Sequence, residues 1–281
     1  MWYLIAASLI FSFSFGLIGN QLAGLPAAWL ASIRLAIAAT LFIPFIRRIA
    51  LRTGIALFVI GMIQFGVMSL CYMSSFRYLA SHEVAFFTIM TPVYVVVLND
   101  FLRQTFNKLN LAVALLSVCG AGLILWRGID STAPIKGFLL VEASNLCFAL
   151  GQLAYRETIN RSTISLPDKQ VFFWLYLGGL VALAPFGLSD AIRLAPSPTW
   201  TQLGVLLYLG VLVSGLSYFL WNAGARRVNP GVLAVMNNVK IPLGMLVSLL
   251  FFDEKIQATS LLAGSLLVMA SLLPPLLRSK E

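Results

Sequence analysis

What most constrains this chain is the length of its apolar runs. Ten stretches of about 20 residues follow one another with few charges inside them. A helix rises about 1.5 Å per residue, so each run matches the roughly 30 Å hydrocarbon core of a bilayer. The approximate bounds are Tyr3–Asn20, Ala27–Ile46, Gly54–Phe76, Glu83–Phe101, Leu109–Trp126, Ile135–Tyr155, Val171–Leu188, Trp200–Asn222, Gly231–Phe252 and Ser260–Leu277. Turn formers separate many of them: Gly24 and Pro26, Asn107, Pro134, Pro167, Pro196 and Pro198, then Asn229 and Pro230. The expected fold is therefore an all-α integral membrane protein of ten transmembrane helices, with no length left for a sizeable soluble domain.

Composition agrees with lipid as the solvent. Charged residues make up 10% and hydrophobic ones 60%, against about 25% charged in a soluble domain. The net charge of +9 does not point to nucleic acid, because the Lys and Arg residues are scattered among short loops. Cys71, Cys119 and Cys147 lie within apolar runs at no motif spacing, which argues for packing over a disulfide or zinc site. Met1 to Leu4 carries no Lys or Arg, so the first run is read as a retained helix and not a signal peptide.

Loop charge sets the orientation. One alternate set of loops, with the C-terminal tail, holds 12 Lys and Arg residues, including Arg47, Arg103, Arg161, Arg226, Arg227 and Lys280; the opposite set holds 5. The richer side is expected to be cytoplasmic, with both termini there. Trp2 at that interface, and Trp29, Trp126 and Trp200 at the other, suit rings that prefer headgroup depth.

The halves of the chain also match each other. Phe65-Gly66-Val67-Met68 in the third run pairs with Leu209-Gly210-Val211-Leu212 in the eighth, and Pro92 in the fourth with Pro242 in the ninth. Ala114 and Gly120 in the fifth pair with Gly264 and Ala270 in the tenth. Two units, 1–128 and 134–281, each with five helices, would enter the membrane from opposite sides. Such inverted repeats are recurrent in secondary transporters, whose solute site lies near the midplane between the halves.

Several segments carry a family resemblance. They are Gln64-Phe65-Gly66-Val67-Met68, Ser75-Phe76-Arg77-Tyr78-Leu79, Thr88-Ile89-Met90-Thr91-Pro92-Val93-Tyr94, Ser144-Asn145, Phe148-Ala149-Leu150-Gly151, Trp174 with Tyr176-Leu177-Gly178, and Tyr218-Phe219-Leu220-Trp221-Asn222 running on to Met236-Asn237-Asn238 and Pro242. The chain resembles the EamA-type, ten-helix branch of the drug/metabolite transporter superfamily, and within it the YigM-type bacterial biotin importers. The resemblance spans nearly the whole chain and is most specific in runs three, four, eight and nine. It implies a secondary transporter in a bacterial inner membrane, taking up biotin or a related small carboxylate. Glu142 and Lys240 are charges that the resemblance does not carry.

The residues themselves are consistent with such a solute. Charges at bilayer depth cost at least about 2.5–3.5 kcal/mol unless they face a cavity or a partner. Lys240 falls mid-span in the ninth run, Arg34 in the second and Glu142 in the sixth, while Glu83 opens the fourth. Lys240 reads either as a structural partner of Glu142 or as a cationic anchor for a substrate carboxylate. For Arg34 a structural role, satisfied by backbone carbonyls, is the stronger reading. Asn237 and Lys240 are spaced i, i+3 and share a helix face; Asn238, Asn145, Gln152, Asn222, Tyr218 and Trp221 extend the polar cluster. Asn offers both donor and acceptor, which suits a ureido or amide group, although interhelical bonding is the alternative for any one of them. Phe11, Phe13, Phe15, Phe87, Phe148 and Tyr155 are candidate apolar walls, with packing or lipid contact the alternative.

The expected substrate-binding set is Gln64, Thr91, Tyr94, Asn145, Trp174, Tyr176, Tyr218, Trp221, Asn222, Asn237, Asn238 and Lys240, with Glu142 and Lys240 as proton-coupling groups. Lacking HExxH, GxSxG, paired intramembrane Asp residues and any phosphate-binding loop, the sequence suggests no enzyme, cofactor or metal, and transport driven by gradients instead of ATP. Partners are expected to be a small solute and the bilayer, with a monomer or homodimer as the working unit. Export of amino acids, amines or other metabolites is the rival within the class. A non-transporting membrane receptor or assembly partner is the rival outside it.

Overall fold

The computed structural model describes residues 1–22, 24–125, 135–162, 167–251 and 258–277, and among them it is all-α. Among the described residues nine helices are long and apolar enough to span a bilayer, and a shorter apolar helix, Trp2–Ser12, precedes them. The first span is Trp2–Ser12 continued by Ser14–Gln21. The second to eighth are Ala27–Phe45, Leu51–Ser75, His82–Arg103, Lys108–Leu125, Ile135–Asn160, Asp168–Leu194 and Trp200–Ala225. The ninth is Pro230–Phe251 and the tenth Ala258–Leu277. Trp126, Arg127, Lys255, Arg278 and Lys280, and the surroundings of Phe15, Gly16 and Gly19, lie outside the described residues.

Helix ends follow local rules. Glu83, at the opening of the fourth span, accepts a 2.9 Å bond from the Ala80 N–H and caps the start of the helix. Thr199 and Gln202 cap the eighth reciprocally. The seventh ends at Ala195 in a left-handed conformation (φ 40°), with Pro196 following. The sixth and seventh helices run several residues beyond their apolar cores, because hydropathy stops at the membrane surface and hydrogen bonding does not. Trp2 and Trp200 are fully open at span ends, as expected of interface anchors.

Packing partners exchange in a regular way. The second span packs on the seventh and eighth, and the seventh on the second and third. The third pairs with the sixth, and the eighth with the first. The first lies on the ninth, and the sixth on the fourth; the fourth also meets the ninth, and the fifth the tenth. A shift of five spans along the chain maps each of these pairings onto another in the set. A further contact of the fifth span with the ninth has no counterpart of that size. Where the fifth and tenth cross, a Cβ on Gly264 would lie 2.4 Å from the Gly120 carbonyl, and one on Gly120 would lie 2.8 Å from the Gly264 carbonyl. Only glycine permits that backbone approach.

Four spans depart from regular α-helix near mid-depth. The first is interrupted at Phe13, and the fourth tightens to a 3₁₀ turn at Thr88–Met90. The third and eighth widen to π-helix at Met62–Val67 and Leu209–Ser217. Pro92 explains the fourth, since it has no N–H for the carbonyl one turn back. The carbonyls left over are taken up by side chains: Thr91 Oγ1 donates to Thr88 (2.8 Å), Asn145 Nδ2 to Phe87 (3.0 Å) and Asn238 Nδ2 to Ile89 (3.0 Å).

Candidate functional site

The four irregular segments surround one central cavity of about 80 Å³. Phe11, Ser14 and Ile18 reach it from the broken first span, Thr88 and Thr91 from the fourth, and Met68 and Tyr72 from the third. Ser144, Asn145 and Phe148 supply the sixth-span wall, and Val213 and Tyr218 the eighth. Two cations, Arg34 and Lys240, complete it. Its walls are thus largely apolar, with hydroxyls, one amide and two positive charges set into them, an arrangement typical of small-molecule sites.

Toward the N-terminal face the cavity rests on packed aromatic rings. Tyr218 stacks on Phe65 at 4.9 Å and 4°, and Phe65 stacks on Tyr176 at 5.1 Å and 18°. Trp221 lies edge-on to Phe11 (6.0 Å) and donates its Nε1–H to Gln152 Oε1 at 2.8 Å. Phe172, Phe42 and Phe219 extend the plug with centroids 5.3–5.4 Å apart. Below it, Asp168 binds Arg226 (2.9 Å) and Arg227 (2.8 Å) and accepts a 2.6 Å bond from the Tyr155 hydroxyl. Arg227 also lies over the Tyr3 ring at 4.9 Å. The sixth, seventh, eighth and first spans are therefore tied together at that face. On the opposite side a larger opening, about 500 Å³, is bordered by Leu22, Pro26, Met73, Phe76 and Arg77. Ile18 belongs to the walls of both.

Of the expected binding residues, Thr91, Asn145, Tyr218 and Lys240 line the cavity. Gln64 and Asn222 bond each other at 3.1 Å across the third and eighth spans. Tyr176 donates to the Ser214 carbonyl at 2.5 Å, within the π segment. Trp221 is the plug residue already described, and Trp174 packs edge-on to Phe173 at 6.4 Å, outside the cavity wall. Asn237 donates to Leu233 of its own helix at 2.9 Å, and Asn238 crosses to Ile89. The shared face expected for Asn237 and Lys240 thus opens on the cavity at Lys240 only, because the ninth span is buried on all sides from Gly231 to Val239.

Glu142 is held by the fourth span and by its own helix. Its Oε2 accepts from the Tyr94 hydroxyl at 2.7 Å and from Asn145 Nδ2 at 3.3 Å. The carboxylate therefore stands one residue behind the cavity wall, with Asn145 between. Arg34, Tyr72 and Ser144 line the cavity too, outside the expected binding set. The signal for Arg34 was present in the sequence, as a charge at bilayer depth with no acid near it.

Comparison with known proteins places this architecture. Residues 1–126 and 135–273 each match the EamA-like transporter family. The chain is 36% identical to the probable biotin transporter of Pseudomonas aeruginosa, over 97% of this chain and 96% of that one. It is 36% identical to the biotin transporter of Escherichia coli K12 over 97% and 91%, and 35% identical to that of Salmonella typhimurium over the same shares. A protein crystal structure superposes with TM-score 0.77 over 96% of this chain and 94% of that one, at 17% identity, which speaks to the fold alone. A family match to both halves, and relatives alike over nearly their whole length, show that this multi-pass membrane protein belongs to the EamA-like transporter family.

Proposed function

We propose that the chain is a secondary transporter that takes up biotin, or a closely related small carboxylate, across a bacterial inner membrane. The observation that carries this reading is near-full-length similarity, at 35–36% identity, to proteins named biotin transporters. The cavity chemistry supports it. Phe11, Phe148 and Val213 suit an apolar ring and chain, Asn145 and the threonines suit a ureido group, and the two cations suit a carboxylate.

The two family matches, one per half, and the exchange of packing partners support inverted repeats at 1–128 and 134–281. Loop charge supports cytoplasmic termini. On that orientation the plugged, ion-paired face is cytoplasmic and the larger opening faces outward. A cavity of about 80 Å³ falls short of the roughly 300 Å³ at which ligand sites begin, so the helices around it must part to admit biotin. The decisive experiment is uptake of labelled biotin by a biotin-auxotrophic bacterium lacking its own importer and supplied with this gene. Growth on trace biotin is expected; growth equal to the empty vector rules the reading out.

A further inference from the structure

We infer that Arg34 is the carboxylate-binding residue of the central cavity, which makes the site selective for a solute that joins one anionic group to an apolar body. The inference deepens the proposed uptake reading and rests on it for the choice of biotin as first probe. Arg34 is 5% exposed, lines the cavity from the second span, and has no acid among its partners in the described structure. Its NH1 donates to Met73 Sδ at 3.5 Å, a weak acceptor, and its buried Nε has no partner. The Tyr218 hydroxyl, which Ser69 also reaches, and the Tyr72 hydroxyl are its further neighbours.

Such a group is costly at this depth unless something answers its charge. Every acceptor that the described residues offer it is neutral. A carboxylate is the missing counterpart, because two parallel N–H donors of a guanidinium match its two oxygens. The rest of the cavity fits the body of such a solute: Phe11, Phe148 and Val213 are apolar, and Asn145 with Thr88 and Thr91 lies on the fourth- and sixth-span side. Lys240 enters from the ninth span and adds to the positive potential without the forked geometry that fixes a carboxylate.

The test compares an acid with its neutral amide. Detergent-purified wild type, Arg34→Gln and Arg34→Lys are titrated with biotin and with biotin primary amide, and a ligand-induced shift in melting temperature is read in parallel. Wild type is expected to prefer the acid. Arg34→Gln is expected to lose about 30-fold in biotin affinity while keeping its affinity for the amide, which also shows that the variant is folded. Arg34→Lys is expected to recover only part of the loss. Equal weakening of acid and amide, or unchanged preference for the acid in Arg34→Gln, overturns the inference. Where wild type ignores biotin, the same pairing is run with a panel of monocarboxylates and their amides. Preference for the acids that disappears in Arg34→Gln sustains the inference and removes biotin as the substrate. No acid preference for any pair removes the inference itself.

Discussion

Glu142 stands behind Asn145 and not in the cavity wall, a position suited to handling a proton while leaving contact with solute to others. Moving an anion inward costs about 2.3 kcal/mol per 100 mV of inside-negative potential, so accumulation needs a co-transported cation or rapid trapping. We expect Glu142→Gln to lower gradient-driven accumulation several-fold while changing equilibrium binding little. Vesicles with an imposed pH gradient and clamped zero potential decide it; no uphill movement in wild type would make the carrier a facilitator. Residue types were legible at this scale, and directions were not. The pattern could name Asn237, Asn238 and Lys240 as a cluster. A helix enclosed on every side, however, has no polar face by which sequence can tell a cavity from a neighbouring backbone. The asparagines went to carbonyls, two of them freed where Pro92 disturbs the fourth span, and that demand is set by a residue over 50 positions away from Asn145 and nearly 150 from Asn238.

Among the elements, ten apolar runs became the described helices with small changes at their ends, since the bilayer dictates both length and composition. The interruptions at Phe13 and Thr88–Met90 and the π segments at Met62–Val67 and Leu209–Ser217 were not legible, because they arise from packing between spans. The glycines hinted at them: Gly66 and Gly210 lie within the π segments and meet the seventh and second spans. At the crossing of the fifth and tenth spans the obstacle is backbone, which cannot rotate away. Gly264→Ala is therefore expected to cost about 1–3 kcal/mol, measured as a lower melting temperature in detergent, whereas Gly204→Ala, which meets nothing within 4 Å, should leave it unchanged or raised. At the end of the seventh span, Ala195→Gly should relieve a left-handed alanine and stabilise by about 1 kcal/mol.

The whole molecule is asymmetric between its faces. Beneath the cavity one is shut by an aromatic plug and the Asp168 network, while on the other an opening of about 500 Å³ shares Ile18 with the cavity wall. Asp168 is buried while Arg226 and Arg227 are partly open to solvent, so losing its charge costs less than the about 3–5 kcal/mol of a fully buried pair. Asp168→Asn is expected to loosen this face: a cysteine placed at Trp221 should react faster with a membrane-impermeant thiol reagent applied to the N-terminal side, and unchanged labelling would show that the network does not hold the face closed. Reporter fusion at Glu281 tests which side that is, a cytoplasm-only signal being expected. The all-α membrane fold was readable in advance from hydropathy, a property summed over many residues. The cavity was not, because it is made by single side chains from seven spans.

Asn145 and Asn238 both belong to the second half of the chain, yet the carbonyls they hold, of Phe87 and Ile89, belong to the first. In a medium without water these bonds have nothing to exchange with, so they stitch the two halves of the chain at mid-depth. If transport tilts one half on the other, that seam is expected to serve as the fulcrum: a tilt about it would spread one rim as it pinched the other, as a seesaw does.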